Sequence, residues 1–274
     1  MASEFTQRDI AFVIEAANPD LLNRRDLVQD DETFVDHMLE NHAPEMVRRL
    51  LLMNQDTIVS SISPRLLFEV LLRAARKELA NRTYTLERSS LQRIPVFDTG
   101  DVLRFIRDDE IIKYLARMLT SFTRVRSFTW PVRIRKGVWR RIRFNDMDID
   151  SLMRYSETVE SEERFDYYKR IGDLCLFIVG MFPEYAGLST GGASQTQARL
   201  IFGRRQRLAE EYEAEGSRFY RLAAQHKKAL LSGSSRVLER MAENFSLAKK
   251  PLNYVSERYL DFRKGMLFAP GTSQ

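Results

Sequence analysis

The chain has 274 residues, 44% of them hydrophobic, and a net charge of +5, so it can bury a sizeable core and does not have the composition of a disordered protein. Its 12 glycines and 8 prolines are few, which argues against a turn-rich all-β fold. The single cysteine, Cys175, excludes an intrachain disulfide and fits a reducing compartment. Its apolar neighbours predict a buried, unreactive thiol.

Neither a signal peptide nor a membrane span is predicted. Residues 1–5 lack the basic and apolar segments of a secretory leader. The longest apolar run is far shorter than the ~20 residues that a helix needs to cross a bilayer. We therefore expect a cytoplasmic protein without a membrane partner.

Apolar residues at helical spacing dominate the first half of the chain. Pro44 and Pro64 both suit the first turn of a helix, and Ser63 is a suitable N-cap for the second of these. Residues 82–97 show no sustained period and are expected to form a loop or an extended segment. The predicted helices of this half cover residues 6–17, a segment from about residue 33, a segment from Pro44, residues 64–81 and residues 98–122.

The most apolar segment of the chain lies at residues 163–182. From Ile171 onward it is apolar nearly all round, which is typical of a helix at the centre of a fold, and Pro183 ends it. Further helices are predicted at residues 194–214, 217–231, 234–247 and 252–262. The predicted fold is mainly α, a multi-helix globular bundle around residues 163–182.

Positive charge is concentrated in residues 111–145. This segment contains ten Lys and Arg residues, both tryptophans, and no Asp or Glu. Subtracting these ten charges from the net charge of +5 leaves the rest of the chain at −5. The segment is therefore strongly basic, whereas the remainder is acidic. Lys113 and Arg117, in its helical part, are expected to be ordinary surface charges.

After residue 122 the apolar period changes from helical to alternating, which predicts a basic β-hairpin at residues 124–144. A three-residue loop at 135–137 would place Ile134 opposite Val138, and Val132 opposite Arg140. That register separates an apolar face from an arginine face, whereas a two-residue turn would mix them. We expect one helical domain over residues 1–274; the alternative is two lobes, 1–122 and 146–268, joined by residues 123–145.

Arginines that alternate along a strand present guanidinium groups about 7 Å apart, close to the spacing of nucleic-acid phosphates. Guanidinium suits phosphate contact, and an indole on the same face can stack on a base. The sequence thus predicts a nucleic-acid-binding set. Its members are Arg124, Arg126, Arg133, Arg135, Lys136, Trp139, Arg140, Arg141 and Arg143.

Two alternatives stay open for the basic hairpin. Its arginines could dock an acidic protein surface, in which case the chain is a helical adaptor, or they could pair with the surplus acids of the chain itself. Our leading expectation is a non-enzymatic binding protein that contacts nucleic-acid phosphates. An enzyme with a site between the helices is a third possibility, for which no catalytic set can be named.

Other polar motifs do not predict a functional site. His37 and His42 are five residues apart, which turns them away from each other on a helix, so no metal site is expected there. The acids at 146, 148 and 150 have calcium-loop spacing but lack the required glycine and closing glutamate. The glycine-rich residues 187–192 lack the lysine of a phosphate-binding loop. We expect no metal, no cofactor and no catalytic residue.

Overall fold

The computed structural model describes residues 5–17, 32–89, 92–123, 127–135, 138–145, 147–186, 207–260 and 267–268. In the first half the helices are α1 (Gln7–Ala17), α2 (Glu32–Leu52), α3 (Gln55–Ser61), α4 (Pro64–Leu79), α5 (Thr99–Ile106) and α6 (Asp109–Phe122). In the second half they are α7 (Ile149–Thr158), α8 (Arg164–Met181), α9 (Pro183–Ala186), α10 (Ala209–Ala224), α11 (Lys227–Ser232), α12 (Ser235–Glu243) and α13 (Phe245–Arg258). The prediction of a mainly helical bundle is confirmed.

Two antiparallel hairpins accompany the helices. One pairs β1 (Thr85–Ser89) with β2 (Gln92–Val96), and the other pairs β3 (Ser127–Arg135) with β4 (Val138–Asn145). The second is the predicted basic hairpin. The first was not predicted as a hairpin, because residues 82–97 were expected to be a loop or an extended segment.

The central helix α8 is buried as predicted. From Ile171 to Met181 every residue is buried, and Cys175 is a free, fully buried thiol. Helices α7, α10 and α13 pack against it. A continuous cluster of buried hydrophobic side chains extends from Ile10 to Phe268, and whether it forms one domain or two lobes stays a prediction.

Local capping explains several helix boundaries. The Ser63 side chain accepts a hydrogen bond from the Leu66 backbone N–H, with Pro64 in the first turn, as predicted for α4. Asp108 caps α6 in the same way, by accepting from the Glu110 N–H. The single helix expected at residues 98–122 is therefore wrong, since the chain ends α5 at Ile106 and starts again at this cap.

Two other helix predictions were wrong because packing outweighs local signals. Helix α2 continues through Pro44 instead of restarting there. Helix α10 continues through Gly216, although a boundary was predicted at residues 215–216. At Gly216 the ring of Phe245 and the Cβ atom of Cys175 approach the helix so closely that a side chain would not fit. The predicted boundaries at 231–234 and 247–252 also shift, to α11, α12 and α13.

A charge cluster joins α2, α4 and α6 on the N-terminal side. Its centre is Arg73, whose side chain is 1% exposed. Four cationic side chains pair with four carboxylates, so the net charge of the cluster is zero. The ion pairs include Arg73 Nη2 with Glu69 Oε1 at 3.0 Å, Arg73 Nη1 with Glu40 Oε2 at 3.0 Å, Arg76 Nη1 with Asp109 Oδ1 at 2.9 Å, Lys113 Nζ with Asp36 Oδ2 at 2.7 Å, and Arg65 Nη2 with Glu69 Oε2 at 2.9 Å. Lys113 is therefore a partly buried member of this cluster and not the ordinary surface charge that was expected.

A second buried polar group joins α6, α8 and α10. The hydroxyls of Tyr114 and Tyr220 both donate to Asp173 Oδ1, at 2.6 and 2.8 Å. Lys169 Nζ lies 2.6 Å from the other carboxylate oxygen. Burial, reinforced by the negative charge of Asp173, raises the pKa of both tyrosines well above the ordinary range. The tyrosines therefore stay protonated and act as hydrogen-bond donors.

Candidate nucleic-acid interface

The basic hairpin is a two-stranded ribbon whose register is defined by its strand pairing. Val132 lies opposite Arg140, as predicted, and Arg133 lies opposite Trp139. Pro131 occupies the middle of β3 opposite Arg141. A proline has no N–H to donate, and it is tolerated here because both strands of the ribbon are edge strands.

Cross-strand partners lie on the same face of an antiparallel pair, and neighbours along a strand alternate between faces. The pairing therefore divides the ribbon into two rows of positions. We call one the arginine row; it consists of Ser127, Thr129, Pro131, Arg133, Trp139, Arg141, Arg143 and Asn145. We call the other the apolar row; it consists of Phe128, Trp130, Val132, Arg135, Val138, Arg140, Ile142 and Phe144.

An irregularity near the tip changes one expected position. The register shifts between Arg133 and Arg135, so that Arg135 and not Ile134 lies opposite Val138. Because β3 has one extra residue at this point, Val132 and Arg140, which lie farther from the tip, still pair as predicted. The expected partner of Val138 was wrong, and Arg135 moves from the arginine row to the apolar row.

The predicted set is only partly brought together by the strands. Three of its arginines, Arg133, Arg141 and Arg143, share the arginine row with Trp139, whereas Arg135 and Arg140 share the opposite row. The other three members of the predicted set lie outside the described residues: Arg124, Arg126 and Lys136.

In the described residues, the hairpin contacts the helical body at α7. Among the described helices, its most extensive contact is between β4 and α7, the helix that follows it directly. Helix α7 also has a contact outside the hairpin, because Asp150 forms an ion pair with Arg207.

Many acidic side chains of the helical body already have cationic partners there. Besides the charge cluster around Arg73, Glu15 pairs with Arg49, Asp166 with Lys228 and Asp108 with Arg240. These carboxylates do not need the hairpin to balance their charge. The rest of the chain still has more acids than cations, so pairing of the arginines with the remaining acids stays an alternative.

Comparisons of the chain with protein-family models, with curated proteins and with solved structures find no match.

The remaining polar motifs do not form a site in the described residues. Asp36 and Glu40 bind Arg73, while His37 is exposed at the surface of α2. Within the described ranges no group of His, Cys, Asp and Glu side chains could hold a metal ion, and no helix has the length and apolar character needed to span a bilayer. The glycine-rich residues 187–192 and Asp146 lie outside those ranges.

A cleft between the β1–β2 hairpin and α13 was not predicted from the sequence. Its polar lining comes from three separated segments, with Arg82 before β1, Arg93 on β2 and Arg258 on α13. No spacing rule joins such residues, because only the packing of the last helix against the hairpin brings them together. The alternating apolar residues Tyr84 and Leu86, with Ile94 and Val96 in β2, were the local signals of strands there.

Proposed function

We propose that this chain is a nucleic-acid-binding protein that contacts phosphates through the arginine row of its second hairpin. The observation that carries the proposal is the β3–β4 register, which gathers Arg133, Arg141, Arg143 and Trp139 on one face. This hairpin lies in the acid-free segment of a chain whose remainder is negatively charged.

The order of residues along the ribbon suits an extended nucleic-acid backbone. Arg143, Arg141 and Trp139 follow one another at alternate positions of β4, about 7 Å apart, with Arg133 across from Trp139 near the tip. Arginines at these intervals can contact successive phosphates, and an indole can stack on an unpaired base. Phosphate contacts of this kind position a protein without reading sequence.

Fluorescence anisotropy with labelled single-stranded and double-stranded oligonucleotides tests the proposal. Two double variants remove the same charge from the same hairpin: Arg133→Ala with Arg141→Ala in the arginine row, and Arg135→Ala with Arg140→Ala in the apolar row. We expect the first to weaken binding about tenfold or more, because two phosphate contacts are lost. The second should weaken it clearly less.

Equal losses in the two double variants would contradict a face-specific contact, and absence of binding by the wild-type chain at low salt would contradict the function itself. Poly-glutamate serves as the comparison ligand for the adaptor alternative. If it binds as tightly as the oligonucleotides and shows the same dependence on the arginine row, an acidic protein surface becomes the better partner.

A further inference from the structure

A cleft of about 390 Å³ opens between the first hairpin and α13, next to the C-terminal end of α4. Thr85 and Leu86 of β1 line one side, and Asn253 and Tyr254 of α13 line the other. This volume falls in the range of small-molecule sites, about 300–1,000 Å³. The cleft is separate in sequence from the basic hairpin, so a ligand site here is independent of the proposed function.

The floor of the cleft is held by a buried lysine. The side chain of Lys250 is 4% exposed, and its Nζ atom lies 2.7 Å from Glu87 Oε1 and also pairs with Asp98. The Thr85 hydroxyl donates to the other oxygen of Asp98 at 2.6 Å. These contacts tie β1, α5 and α13 together, so the floor is rigid and its lysine is already neutralised.

The wall formed by α13 is fixed in the same way. The Asn253 side-chain amide donates to the backbone carbonyls of Val179 and Gly180, both at 2.8 Å. The hydroxyl of Tyr254 donates to Glu78 at the end of α4. A cleft with anchored walls can bind a ligand without a large ordering cost.

Three arginines stand at the rim with fewer close acidic partners than their charge needs. Arg93 lies 3.5 Å from Glu257, and Arg258 Nε lies 3.8 Å from Glu78, so both ion pairs are long. Arg82 has no acidic partner within the described residues, and its guanidinium lies over the ring of Tyr254 at 5.0 Å. Among the rim arginines, Arg82 is therefore the one whose charge no described carboxylate pairs with, whereas the floor carries one excess negative charge, because Lys250 meets both Glu87 and Asp98.

Arg82 and Arg258 both lie beside Tyr254. The guanidinium of Arg82 lies over its ring, and its hydroxyl donates to Glu78 Oε2, the atom that lies 3.8 Å from Arg258 Nε. Beside them two apolar side chains of the lining are open to solvent, since Leu86 is 38% exposed and Tyr84 is 41% exposed. A rim with two cations next to exposed apolar side chains suits a ligand that has both an anionic group and an apolar part.

We propose that this cleft binds a small organic anion, a flat apolar body carrying one carboxylate or phosphate group. The anionic group lies between Arg82 and Arg258, and the apolar body lies against Leu86 and Tyr84.

Two dyes with the same ring system test this site in the full-length chain. The anionic probe is 8-anilinonaphthalene-1-sulfonate, whose sulfonate stands in for the anion, and its uncharged counterpart is N-phenyl-1-naphthylamine. Both are followed by fluorescence. For the anionic dye we expect Arg82→Gln with Arg258→Gln to raise the Kd about tenfold or more. The Kd of the uncharged dye should hardly change.

Arg104→Gln is the matched control, since Arg104 is 81% exposed and does not line the cleft. It should leave the Kd of both dyes unchanged, and Leu86→Gln should weaken both. Arg82→Lys, which keeps the charge, is expected to bind the anionic dye more tightly than Arg82→Gln. This comparison remains decisive if the double variant folds poorly, a point that thermal unfolding checks.

Competition distinguishes the two anions that the site could take. If the proposal holds, phenyl phosphate or benzoate displaces the anionic dye from the wild-type chain, and the stronger competitor identifies the natural class. Three results would overturn it: no binding of the anionic dye, no displacement by either competitor, or equal loss of both dyes in the arginine variant.

Discussion

The buried carboxylate of Asp173 shows how single residues hold this fold together. It is 2% exposed and accepts from two tyrosine hydroxyls and one lysine, so both of its oxygens have donors. A buried charge is tolerated only when its hydrogen bonds are satisfied. The three partners come from α6, α8 and α10, so the contact also fixes how these helices meet.

Replacing Tyr220 by Phe should lower the free energy of unfolding by about 1.5–3 kcal/mol, because a hydrogen bond to a buried charged group is lost. Urea unfolding followed by circular dichroism measures this. Tyr168→Phe is the control, since its hydroxyl makes no hydrogen bond within the described part of the chain and its ring packs on Phe219. Equal effects of the two variants would show that the Asp173 contact does not stabilise the fold.

Asp109 gives the charge cluster a dependence on acid pH. Burial alone would raise the pKa of Asp109, but the neighbouring charges of Arg73 and Arg76 outweigh it and lower the pKa. A carboxyl whose pKa is lowered on folding stabilises the protein above its unfolded pKa. That stability is lost as the pH falls below about 4.

We therefore expect Asp109→Asn to reduce the loss of stability between pH 5 and about pH 3, compared with the wild-type chain. Urea unfolding at the two pH values gives the difference. Glu45→Gln, at an exposed position on α2, is the control and should keep the wild-type pH dependence. An unchanged pH dependence in Asp109→Asn would mean that the cluster is too well solvated to matter.

At the scale of elements, the close packing of α8 and α10 depends on glycine. A Cβ atom on Gly172 would lie 2.7 Å from the ring of Tyr220, whose hydroxyl is held by Asp173. The ring cannot move away without breaking that hydrogen bond. The two helices can therefore approach this closely only because residue 172 has no side chain.

Gly172→Ala should destabilise the fold by about 1–3 kcal/mol, the usual cost of overpacking a core. Gly100→Ala provides the contrast, because a Cβ atom there has no neighbour within 4 Å. It should leave stability unchanged or raise it by up to about 1 kcal/mol through helix propensity. Thermal unfolding of both variants tests this difference. Equal shifts of the Tm would contradict close packing at Gly172.

The elements that could be predicted are those whose signals are local. Ser63 and Pro64 start α4 by capping and proline geometry, and the apolar run from Ile171 identifies the buried helix. The first hairpin was missed, because Pro95 interrupts its second strand and the lysine that pairs with Glu87 of β1, Lys250, lies far along the chain. The same holds for Arg73, whose partners on α2 and α6 have no visible relation to it in the sequence.

At the scale of the whole molecule, charge is divided between a basic ribbon and a remainder with a net negative charge. The alternation of arginines predicted the strand pairing of Val132 with Arg140, but not the extra residue near the tip that moves Arg135 to the other row. A period of two residues indicates which positions share a face only where the strand is regular. The candidate interface therefore has fewer arginines on one face than the sequence predicted.

The salt dependence of nucleic-acid binding tests the central claim most directly. Phosphate contacts release counterions, so the logarithm of the association constant should fall linearly with the logarithm of the salt concentration, with a slope of about −0.9 for each contact on duplex DNA. We predict that Arg133→Ala with Arg141→Ala makes this slope shallower by about 2, and that Arg135→Ala with Arg140→Ala changes it less. No binding at the lowest salt, or the same slope in the wild-type chain and the first variant, would contradict a role for the arginine row.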